Sequence, residues 1–141
     1  MQRAVALSVL LATLVVGLVG TGFSDDKAMP KAKVMTVEGT LIDCKCYAMD
    51  PANKGQDHST PNGAIKSCAK ACAVMGIPVG LLTDKGEVLV LIAPAESFSD
   101  HMTGTARVTG MKVYGGALLP EKVEVKGADG KWEPVSITGM M

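Results

Sequence analysis

The chain is poor in aromatic residues and has no excess of charge. Phe23, Tyr47, Phe98, Tyr114 and Trp132 are the whole aromatic supply in 141 residues, and fourteen basic residues balance fourteen acidic ones. A basic stripe is therefore missing, and with so few rings there is no platform for stacking bases, so no nucleic-acid partner is expected. Catalytic signatures are missing too. No Gly-x-Ser-x-Gly, no His-Glu-x-x-His and no phosphate-binding loop occurs, and the chain does not read as an enzyme. Cys-x-x-Cys and Cys-x-x-Cys-His are also absent, which removes the usual thiol-redox and haem-attachment signals.

The one long apolar run lies at the start. After Met1-Gln2-Arg3, residues 4–20 are interrupted only by Ser8 and Thr13, and small residues follow up to Ser24. A basic residue, a short apolar stretch and small residues at the −3 and −1 positions describe a secretory signal peptide over 1–24, with a cut after Gly22 or Ser24. The expected location is periplasmic or extracellular, with no membrane contact once the signal is removed. Its loss takes Arg3 away and leaves a net charge near −1. Residues 25–33 carry charge and Pro30 without apolar period and read as a tether. Residues 34–139 are enough for one compact domain.

Within that domain the pattern is mainly β. Val34 to Ile42 is β-branched, and its Gly39 predicts a bulge or tight bend. Residues 79–83 and 87–92 flank Asp84-Lys85-Gly86 as a hairpin, 94–101 predicts a short helix, and 105–114, 118–126 and 132–138 predict further strands. Residues 44–63 are rich in turn formers and predict irregular chain. Residues 64–75 are alanine-rich, stop at Gly76-Ile77-Pro78 and predict a helix, with Ile65, Cys68, Cys72 and Met75 on one apolar face. With the insertion 43–76 set aside, the element order is that of a small OB-like Greek-key barrel of five to six strands. The insertion then falls between strands one and two, at a usual ligand-binding loop. A β-sandwich is the alternative fold.

The chemistry of the chain is concentrated in that insertion. Cys44-Lys45-Cys46 and Cys68-Ala69-Lys70-Ala71-Cys72 bracket His58. Thiols at i and i+4 project from one side of a helix, so Cys68 and Cys72 suit a single soft ion, zinc or copper. The loop then supplies Cys46, with His58 or Cys44 as a fourth ligand. The alternative uses the same residues without a cofactor: four thiols in an exported domain form two disulfides and staple a non-catalytic binding or structural module. Bridges within Cys44-Lys45-Cys46 or within the helix are strained. Loop-to-helix pairing is therefore expected, as Cys44–Cys68 with Cys46–Cys72 or as the crossed pair, each bridge contributing about 2–4 kcal/mol. His101, near a helix C-terminus, is a weaker ligand candidate. The sequence names no protein partner.

Val37-Glu38-Gly39-Thr40-Leu41-Ile42-Asp43, Cys46-Tyr47, His58, Cys68-Ala69-Lys70-Ala71-Cys72 and Gly76-Ile77-Pro78-Val79-Gly80-Leu81-Leu82 together resemble a group of small exported bacterial proteins. These look like OB-type barrels carrying a Cys-Tyr, His and Cys-Ala-x-x-Cys insertion. The resemblance brings no settled activity. It implies a shared site built from Cys46, His58, Cys68 and Cys72, to which this chain adds Cys44.

Overall fold

The computed structural model describes residues 33–137. The expected signal peptide (1–24), the tether (25–33, apart from Lys33) and the chain beyond 137 lie outside the described residues. The described residues are mainly β, as expected. Their spine is β1, Val34–Asp43, whose β-branched residues suit an extended chain paired on both sides. Its first part pairs antiparallel with β6 (Thr105–Lys112), from Val34↔Met111 to Thr40↔Thr105. Its last part pairs with β4 (Val79–Leu82), from Thr40↔Leu82 to Asp43↔Val79. β5 (Val88–Val90), β7 (Leu118–Lys126) and β8 (Trp132–Pro134) complete a six-stranded sheet of order β5-β4-β1-β6-β7-β8.

This sheet is open, which corrects the expected barrel. Among the described residues the chain just after β5 touches the start of β7 through an isolated parallel bridge between Leu91 and Leu118, where the Ile92 N–H donates to Leu118 O at 2.9 Å, and no ladder closes the sheet. The physical reason lies in the chain after β5. The Leu91 N–H is already given to Val79 O, and Pro94, which has no N–H, turns the chain into the 3-10 helix Ala95–His101. A sandwich does not form either, because the second sheet is a hairpin of two three-residue strands.

The core lies where that 3-10 helix and part of the insertion cover the sheet. Leu41, Leu81, Leu89, Val108, Leu118 and Phe98 are fully or almost fully buried there and form one cluster with Ala73. Burying a side chain such as Phe98 stabilises the fold by about 1.5–3 kcal/mol. Gly39 does not make the expected bulge, since the β1–β6 register is continuous through it. A side chain there would collide with the Leu82 carbonyl, so glycine permits the close approach of β4. The register shift falls instead between Thr109 and Gly110, in the β6–β7 ladder.

The insertion is more regular than its composition predicts. Residues Cys44–Met49 form a short helix, α1, and Asp50-Pro51 ends it. His58–Thr60 (β2) and Gly63–Ile65 (β3) form a hairpin around Pro61-Asn62, closed by the Thr60 hydroxyl donating to Gly63 O at 3.0 Å. That hairpin takes the start of the expected 64–75 helix. The second helix, α2, is Cys68–Val74, preceded by Ser67 in a left-handed conformation (φ 54) with its N–H bonded to Asp57 Oδ1 at 2.7 Å. The expected apolar face is corrected accordingly. Ile65 and Met75 are exposed, and α2 buries Ala69, Cys72 and Ala73 instead.

Candidate metal centre

Asp43 organises the thiols, and pattern reading overlooked it. It is the last residue of β1 and the N-cap of α1, only 1% exposed. Its Oδ1 accepts from Lys45 N at 2.8 Å and Cys46 N at 3.1 Å, satisfying donors that a helix start leaves without partners. Its Oδ2 accepts from the Cys46 thiol at 3.5 Å. The Cys72 thiol, arriving from α2, lies within the influence of the same carboxylate, which raises its pKa. Cys68 is near both, since it contributes to raising the Cys46 and Cys72 thiols.

Three of the five expected site residues are therefore together. Cys46 comes from α1, Cys68 and Cys72 from α2, and they meet at the buried end of β1. Cys44 points elsewhere. On a helix, residues two apart are rotated by about 200° from each other, so Cys44 and Cys46 cannot face the same centre. Gly80 receives the Cys44 sulfur: a Cβ there would lie 3.0 Å from Cys44 Sγ and 3.0 Å from Val88 Cγ1. His58 lies in β2, half-buried, with Nδ1 3.0 Å from Gln56 O. No hydrogen bond between its ring and a thiol is seen. A carbonyl can only accept, so Nδ1 is the donor in this contact and Nε2 is the ring nitrogen left for a ligand role.

The electrostatics fit a closed, protonated cluster. Burial pushes the Cys46 thiol up to about 11, with the Asp43 charge and Cys68 adding to it. The hydrogen bond to Asp43 and then burial push Cys72 up to about 12. Burial, followed by Asp43, also raises Cys44. In this state the thiols act as donors to a buried carboxylate, and nucleophilic thiolate is scarce near neutral pH. All four cysteines are free. As the side chains stand, no group of three or more His, Cys, Asp or Glu among the described residues is positioned to hold a metal ion.

Two other surfaces border the insertion. A polar cleft is lined by Asp57, Ser67, Lys70, Ser99 and Asp100 and crossed by the exposed Lys70–Asp100 ion pair, which contributes little at such exposure. An apolar groove runs past Val74, Val90 and Ile92. Neither contains a cysteine. His101, at the end of the 3-10 helix, is half-buried. No helix among the described residues is long and apolar enough to cross a membrane. Comparison with protein-family models, curated proteins and solved structures finds no match to this chain, so the reading of its site rests on the geometry of the site itself.

Proposed function

We propose that this protein binds a transition metal ion, zinc or copper, through Cys46, Cys68 and Cys72 in an exported compartment. The ion either fastens the loop and helix of the insertion to the end of β1 or is carried there. One observation supports this above all: the Cys46 thiol of one helix donates to the buried Asp43 carboxylate, and Cys68 and Cys72 of the other helix lie close enough to raise or share its titration. Sulfur donors from two helices suit soft and borderline ions. Binding displaces the thiol protons, and its free energy adds to that of folding. The insertion has much to gain, because its own buried apolar contribution is little more than Ala69, Cys72 and Ala73.

The disulfide reading has an observation of its own. Cys46 and Cys68, one from the loop side and one from α2, are already neighbours. Of the two expected connectivities, this favours the one containing Cys46–Cys68; its second bridge, Cys44–Cys72, needs Cys44 to turn away from Gly80. Metal analysis of protein taken from its native compartment, paired with a thiol count under denaturing, non-reducing conditions, separates the two. The metal reading expects one equivalent of ion and free thiols at Cys46, Cys68 and Cys72. Zero thiols with no bound metal would sink it and leave the stapled module.

A further inference from the structure

Asp43 is bonded in a way that a helix cap alone does not require. Its two oxygens have separate tasks: Oδ1 takes both backbone donors of α1, and Oδ2 faces the thiols. Among the described residues no ion pair to Asp43 is formed, although its carboxylate is among the most buried groups there. Neighbouring cations are committed elsewhere or exposed, with Lys70 on Asp100 and Lys45 at the surface. If the thiol protons are replaced by a metal, the carboxylate faces sulfur anions, and only the incoming cation can offset that repulsion.

From this geometry we propose that Asp43 is the fourth metal ligand and that it tunes the site to zinc over copper. The inference rests on the thiol site proposed above. Its geometric support is the Cys46 Sγ–Asp43 Oδ2 separation of 3.5 Å. Two donors at the usual zinc–sulfur and zinc–oxygen bond lengths of about 2.3 and 2.0 Å, placed at a tetrahedral angle, are about 3.5 Å apart. This separation matches one edge of a zinc tetrahedron; as the side chains stand the other corners are not formed among the described residues, so binding requires Cys68 and Cys72 to rotate toward that edge. The α1 N–H groups on Oδ1 then act as the outer partners that orient a ligating carboxylate. Chemistry and charge select the ion. A carboxylate oxygen is a good zinc ligand and a poor one for Cu(I), and a divalent ion leaves the buried cluster one unit less negative than a monovalent one does.

The test is a competition titration of the reduced protein with Zn(II) and Cu(I) against chelators, for wild type, D43N, H58A and C72S. Asparagine keeps an oxygen for the helix cap, so D43N retains the fold, as its circular dichroism and urea midpoint will report. The expected result is zinc affinity weakened by about tenfold or more in D43N, with Cu(I) affinity unchanged, and both ions weakened in C72S. Zinc binding unchanged in D43N but lost in C72S would overturn the proposal and leave Asp43 as a cap. Zinc binding lost in H58A and kept in D43N would overturn it in favour of the histidine. If C72S binds both ions like wild type, the thiol site itself fails, and this ligand assignment with it.

Discussion

Replacing Asp43 by alanine removes two things at once, the cap of α1 and the acceptor for the Cys46 thiol. The cap alone is worth about 1 kcal/mol, within a range of roughly 0.5–2. Two backbone N–H groups, at 2.8 and 3.1 Å from Oδ1, lose their partner in a part-buried setting. Against this, the cost of burying a carboxylate is recovered, so the net loss for Asp43→Ala is about 1–3 kcal/mol. In a domain of this size each kcal/mol shifts the melting temperature by about 4–8 °C. Asparagine retains the accepting oxygen and should lose no more than about half as much. The assay is urea unfolding of the reduced, chelator-treated protein at pH 7. An Asp43→Ala midpoint equal to wild type, or an Asn variant as damaged as the Ala variant, refutes the assignment of the cap.

The raised thiols make stability depend on pH in the alkaline range. Cys46 and Cys72 hold protons more tightly when folded (about 11 and about 12) than the ordinary value of 9.0. Their contribution is therefore complete below pH 9 and is lost as pH rises through 11 to 12. The urea midpoint of the reduced, metal-free protein should fall above pH 9, and a C46S/C72S double variant should flatten that part of the fall; an equally steep fall in the double variant counts against the assignment. Phe98→Ala, at a fully buried position, should cost about 3–5 kcal/mol in equilibrium unfolding. Cys44→Ser should leave metal affinity unchanged, since its sulfur sits against Gly80 and Val88; lost affinity in the same titration would return Cys44 to the ligand set.

The strands were legible because alternation and β-branching are local signals, and β1, the β4–β5 hairpin, β6 and β7 fall where those signals put them. Closure was not legible, because it depends on whether distant ends meet. Here an isolated bridge forms at Leu91 and Leu118, and among the described residues no ladder closes the sheet. Within the insertion the error was one of weighting. Thr60-Pro61-Asn62-Gly63 carries the composition of an irregular loop, yet those turn formers close a hairpin. Asp43 followed by Cys-Lys-Cys-Tyr-Ala-Met and then Asp50-Pro51 is a cap, a run of helix residues and a stop. Reading that helix would have separated Cys44 from Cys46 by rotation alone and drawn attention to the carboxylate before them.

β1 also sets where the cluster can be reached. It enters the sheet at Val34 and delivers Asp43 nine residues later, without a break in pairing to one neighbour or the other. At about 3.3 Å per residue the strand spans roughly 30 Å. The cluster is thus displayed at the far pole of the sheet from the point where the chain enters. A pull applied at Val34 is carried along β1 toward Asp43 as shear across its ladders.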